Sequence, residues 1–168
     1  MHQELHALFE EDQADRRGEL PADLRRRDER RRARVEQLPA QGAVTDPDDL
    51  FFAAMVFQHG PDRAHYRQAH ELARHAAELG STRPARWLAA AAQDRWRMAG
   101  GLPRQYGTQY RSVGGRWVLY RVDPATSDEE RARWDVPPLA EALRRAEEMT
   151  DEDRPQPGRR DGRQGGDP

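Results

Sequence analysis

The stretch LFFAAMVFQHG, residues 50–60, decides how the rest of the chain must fold. Its first eight residues are apolar almost all round, and a helix apolar on every face must be enclosed by other elements. Thr45 or Asp46 can cap this helix, Pro47 suits its first turn, and Gly60-Pro61 ends it. Working outward, helical periodicity predicts neighbours over residues 2–17 and 23–38, separated by Gly18 and Pro21. A fourth helix is expected over 62–79, closed by Gly80. A fifth enters through Pro84, with Ser81 or Thr82 as cap, and stops at Gly100-Gly101.

Past that point the pattern changes. YRSVGGRWVLYRV places aromatic and β-branched residues around Gly114-Gly115, which predicts a hairpin near 109–122 with a two-residue turn. SDEERARWDVPPLAEALRRAEEM then predicts two short helices broken at Pro137-Pro138, with Ser127 and Glu130 as a capping box. The expected fold is mainly α: a compact bundle of about five helices plus a small β-hairpin and a short C-terminal helical segment. Residues 1–150 are expected to form one helical domain. Residues 151–168, rich in Gly, Pro, Arg and Asp without an apolar period, are expected to form a disordered tail.

Composition narrows the chemistry. Hydrophobic residues make up 36% and charged residues 35%, so the core must be small and well placed. There is no cysteine, hence no disulfide and no thiolate nucleophile, and no lysine, hence no Schiff base. Arginine supplies every basic side chain. With abundant alanine this gives an actinobacterial-like composition, and it lowers the weight of any single arginine as a functional marker. The net charge of −2 argues against nucleic acid as a partner, and the basic run LRRRDERRRARV lacks aromatic residues interleaved for base stacking. No apolar run is long enough to span a membrane, and MHQELHALFEEDQ lacks a secretory layout, so a cytoplasmic location is expected. His65, His70 and His75 fall five apart and cannot share a helix face, so no metal site and no cofactor is expected.

The informative anomaly is polar residues on core-facing stripes. Leu5 and Phe9 lead into Asp12 and Arg16. Leu24, Val35 and Leu38 define a four-three spacing that also contains Asp28 and Arg31. Trp87, Ala91 and Met98 share a stripe with Asp94, while Arg95 aligns with Leu88. Buried charges are costly unless paired, so each pair taken singly reads as an internal ion pair fixing helix register. Three such pairs together point to a shared polar cavity, and His59 at the end of the central helix either caps that helix or faces the cavity as a proton-transfer group.

These residues resemble a bacterial domain-of-unknown-function family, numbered six-six-two-four. The resemblance runs over roughly residues 4–145 and rests on EDQADR at 11–16, FQHG at 57–60, DR at 94–95, YGTQ at 106–109 and DPATSDEERARWDVPPLAEAL at 123–143. YGTQ is the most specific of these. The chain departs from the family where Arg104 follows Pro103 and the glutamine comes one place later, at Gln105. The family has no settled activity, so the resemblance implies positions and not a reaction.

Two functions fit those positions. In the first, the helices enclose a site for a polar or anionic small molecule. His59 acts as general acid or base, oriented by Asp94. Asp12, Gln13, Arg16, Asp28, Arg95, Tyr106, Thr108 and Gln109 bind the substrate, and hydrolysis, elimination, isomerisation or cyclisation would suit such a set. In the second, the inward pairs are an internal structural network within a non-catalytic module that meets a protein partner.

Overall fold

The computed structural model describes residues 1–38 and 46–154. Among them the chain forms seven helices and one hairpin: α1 (Gln3–Ala14), α2 (Leu24–Gln37), α3 (Pro47–Gln58), α4 (Arg63–Glu78), α5 (Ala85–Ala99), β1 (Tyr110–Val113), β2 (Arg116–Leu119), α6 (Asp128–Arg133) and α7 (Leu139–Glu152). The mainly helical class with a small hairpin is as the sequence predicts.

α3 is the centre. It packs against α1, α2, α4 and α5, and Phe52, Ala54, Val56 and Phe57 are buried on its different faces. Burying each such large side chain contributes roughly 1.5–3 kcal/mol. Asp46 caps the helix by accepting from the Asp48 amide, and Thr45 lies outside the described residues. α4 and α5 meet through small side chains, Ala69, Ala73 and Ala76 on one and Ala85, Ala89 and Ala92 on the other, all buried. That seam lets two helices approach closely beside α3.

Several local expectations change. Ser81 and Thr82 do not cap α5, whose start has no side-chain cap. They bind Asp48 instead, through the Ser81 hydroxyl at 2.7 Å and the Thr82 amide and hydroxyl at 2.9 and 2.7 Å. That clip ties the start of α3 to the turn before α5. Trp87 is 39% exposed, so the apolar stripe of α5 runs through Ala85, Leu88 and Ala92 rather than through Trp87. Ser127 accepts from the Glu130 amide, but the Glu130 carboxylate turns to Arg133 and Trp134, so the capping box is half made. The second C-terminal helix is long, carrying through Asp151 and Glu152. The rest of the expected tail, 155–168, lies outside the described residues.

The hairpin turn is as expected. Gly114 and Gly115 have φ of 58° and 78°, the left-handed pair that a tight two-residue turn requires. Tyr110 pairs with Leu119 and Val113 with Arg116, and α7 packs against β2. Among the described residues no helix is long and apolar enough to cross a membrane.

Candidate active site at the end of the central helix

α1 and α2 are joined by charge beside the apolar core that Leu5, Val35 and Leu38 enter. Asp12 and Arg31 are fully buried, and Asp15 and Asp28 nearly so. Arg31 donates to Asp15 at 2.7 Å and to Asp28 at 2.5 Å, and its Nε lies 3.8 Å from Asp12. Arg16 reaches Asp12 at 2.9 Å and Asp28 at 2.8 Å, and Arg27 reaches Asp15 at 2.9 Å. Three carboxylates therefore meet three guanidiniums. Burial works against the Arg31 cation, but the bonds from Asp15 and Asp28 outweigh it, and its pKa rises. Gln13 donates its amide to Asp12 at 2.9 Å.

His59 joins this network from α3. The helix ends there because His59 leaves helical geometry, and Gly60 follows in a space no other residue fits. A Cβ on Gly60 would lie 2.4 Å from that of His65. The turn aims the imidazole at α1, and Nδ1 sits 2.9 and 3.2 Å from the two Asp12 oxygens. A ring nitrogen facing a carboxylate carries the proton, which leaves Nε2 as the free nitrogen. Nε2 has no hydrogen bond among the described residues and is not sealed from solvent.

Two arginines close around the same helix end. Arg32 donates to the His59 carbonyl at 3.3 Å and Arg95 to the Gln58 carbonyl at 3.4 Å. Both complement the negative end of α3. Neither has a carboxylate within ion-pair distance among the described residues, and the Arg95 Nε is buried without a partner. Burial depresses the Arg95 pKa; nearby Tyr66 opposes this and Arg16 adds to it. Arg32 also lines a cleft of about 300 Å³ with Arg25, Glu29, Glu36, Pro61 and His65. Two guanidiniums without an ion pair therefore meet the backbone at the end of α3, while in the cleft Arg25 and Arg32 are matched by Glu29 and Glu36.

Asp94 does something different. Its Oδ1 accepts the amides of Gln105 at 2.6 Å and Tyr106 at 2.8 Å, and its Oδ2 accepts the amide and hydroxyl of Thr108 at 2.9 and 2.8 Å. The YGTQ loop is wrapped around this one carboxylate. Gly107, with φ of 80°, makes the wrap possible, and a Cβ there would press to 3.1 Å from Val122. Arg131, fully buried, clamps the loop from outside by donating to the Tyr106 carbonyl at 3.0 Å and the Thr126 carbonyl at 3.0 Å. Tyr106 is buried against Trp134, and burial pushes its phenol up to about 12, with Glu130 and Asp94 acting the same way. Gln109 donates to the Thr108 hydroxyl at 3.0 Å, and Gln105 to the Tyr106 hydroxyl at 3.2 Å.

The expected residues therefore separate into two groups. Asp12, Gln13, Arg16 and Asp28 gather with His59, and Arg95 joins them through the Gln58 carbonyl. Asp94, Tyr106, Thr108 and Gln109 form a loop anchor on the other side of α5. The expected partnership of His59 with Asp94 is replaced by His59 with Asp12. The reason is geometric: consecutive residues on a helix point about 100° apart, so when Arg95 reaches the end of α3, Asp94 faces the loop. Sequence reading missed Asp15, Arg32 and Arg131. Leu8, Asp12 and Asp15 follow the same four-three spacing, which could have revealed Asp15. Nothing in the short acidic and basic run 128–133 marks Arg131 as buried.

Among the described residues no three His, Asp or Glu side chains gather as a metal site. No protein-family model, no curated protein and no solved structure matches the chain.

Proposed function

We propose that the protein binds a small anionic or polar molecule at the end of α3 and transfers a proton to or from it through His59 Nε2. The observation that carries this reading is the imidazole held on a buried carboxylate through Nδ1, with Nε2 open and two arginines lacking carboxylate partners on the His59 and Gln58 carbonyls. Asp12 sets the tautomer and stabilises the imidazolium that forms when Nε2 takes a proton. Arg95 and Arg32 attract the anionic group, a carboxylate or phosphate that a guanidinium fork fits. Asp94 and the YGTQ loop hold α5 so that Arg95 reaches the site. Reactions limited by a single proton transfer, such as hydrolysis, elimination, isomerisation or cyclisation, suit this set.

A second reading, a non-catalytic module that meets a protein partner, is favoured by one observation: the three acids and three arginines between α1 and α2 already match. Thermal-shift measurement against carboxylates and phosphate monoesters, inorganic phosphate included, separates the two. The active-site reading expects a stabilising compound whose effect disappears in Arg95→Gln. His59→Asn, which keeps an amide donor for Asp12, should change stability by less than about 1 kcal/mol and abolish turnover of that compound. Absence of any stabilising anion, or a large stability loss in His59→Asn, would favour the module.

A further inference from the structure

No acidic residue occurs between Asp94 and Asp123, and the hairpin lies inside that span. It brings together Arg104, Arg111, Arg116 and Arg121, none of which has a carboxylate partner among the described residues. Arginines on either side are paired: Arg97 with Asp123 at 2.9 Å and Arg145 with Glu152 at 2.9 Å. In a chain of net charge −2 this is a local excess of positive charge, offset at Arg116 by Glu147 and Asp151 of α7, which line the same cleft.

The register shows how the excess is displayed. Tyr110, Ser112, Trp117 and Leu119 share one face of the hairpin. That face is turned to α7, where the Trp117 indole donates to Asp153 at 2.5 Å and the Trp117 amide to Thr150 at 2.9 Å. The opposite face carries Arg111, Val113, Arg116, Val118 and Tyr120. Arg104 lies over the Tyr120 ring at 3.9 Å and Arg111 at 5.0 Å. Arg111 and Arg116 are exposed, and Val113 is 51% exposed.

One edge of the hairpin is also open. The Tyr120 amide bonds to the Gln109 carbonyl, and antiparallel pairing alternates. Residues 109, 111 and 113 therefore direct their backbone groups to β2, while Tyr110 and Ser112 direct theirs outward. Those outward groups have no hydrogen-bond partner among the described residues, and no helix packs along β1 as α7 packs along β2.

We infer that β1 receives an extended acidic peptide as a third strand. The peptide backbone pairs with Tyr110 and Ser112. Because side chains alternate along a strand, an Asp or Glu stands opposite Arg111 and an apolar residue two positions away stands opposite Val113. The charge selects the partner and the open edge supplies the backbone pairing. An arginine-lined edge that serves only to discourage strand pairing would bind no such peptide. A single-stranded nucleic acid would use the arginines without using the edge.

The test is fluorescence anisotropy with a labelled peptide alternating Glu and Val, the same peptide N-methylated at alternate amides, and oligothymidylate. The inference expects the first peptide to bind, with affinity falling at least about tenfold on N-methylation and in Arg111→Glu. Ser112→Pro removes an outward amide without touching the β2 ladder and should have the same effect, amide exchange at Arg111 and Val113 reporting that the hairpin persists. The N-methylated peptide makes the test on the unaltered protein, so it stands even if a variant misfolds. No peptide binding, binding indifferent to N-methylation, or preference for oligothymidylate would each overturn the inference.

Discussion

Asp12 and Asp94 are both fully buried aspartates on helices, each accompanied by an arginine that the sequence places on or beside the same stripe. Their surroundings differ in kind. Asp12 is held by side chains, the guanidinium of Arg16 at 2.9 Å and the imidazole of His59 at 2.9 Å. Asp94 is held by three backbone amides and one hydroxyl, all within 2.9 Å. The first solution brings an imidazole to the centre with its Nε2 unbonded among the described residues. The second brings none, and uses the carboxylate as the core around which a loop is wound. A buried acid is therefore evidence of a polar cluster, and the identity of its donors decides whether that cluster can do chemistry or only hold shape.

The largest effect should come from the loop anchor. Asp94→Ala strands three amides and a hydroxyl in a buried site, and a loss of about 3–5 kcal/mol is expected in urea unfolding. Amide hydrogen exchange should show the loss centred on residues 105–108. If exchange there is unchanged, Asp94 does not organise the loop and the contrast fails.

Asp12→Asn should cost less, about 2 kcal/mol, because Asp28 and Asp15 remain to serve Arg16 and Arg31. It should also move the nitrogen resonances of the His59 ring in NMR, because Nδ1 loses the carboxylate it faces at 2.9 Å. Unmoved ring resonances would break the assignment of Asp12 as its partner.

The smallest effect sharpens the comparison with a third aspartate. Asp48, like Asp94, binds backbone and hydroxyl donors. Burial raises its pKa, but the bonds from Ser81 and Thr82 outweigh that and hold it below the ordinary value of 3.8. A carboxylate depressed in the folded state stabilises the fold above that ordinary value, and the contribution fades as pH falls through the folded pKa. The stability difference between the protein and Asp48→Asn should therefore be present at neutral pH, begin to shrink at about 3.8 and vanish once pH falls below the folded pKa. A difference that persists in acid would mean the clip depends on shape and not on charge.

Much of this was readable in advance. Periodicity placed Asp12, Asp28, Arg31 and Asp94 inward, and each is buried. The all-apolar run of α3 marked the helix that others surround, and Gly114-Gly115 marked the turn. Trp87 was misread because a stripe of four positions along α5 can be drawn through either of two adjacent faces. The closely approaching α4 takes the alanine face. Arg131 was not legible, because its burial depends on a loop from residues 105–108 closing over a helix that follows much later in the chain.

The amino-acid sequence by itself determined which segments are helical and which polar residues turn inward, since side-chain direction repeats with the backbone and every residue on a face shares its environment. The tertiary structure alone decided the partners. His59 and Asp12 are 47 residues apart, and no local period relates them. Their contact follows from the packing of α1 on α3, where the Phe9 and Phe52 rings meet at 4.7 Å. The rotation along α5 turns Asp94 toward the loop while Arg95 reaches the end of α3, so the imidazole meets a different acid from the one expected.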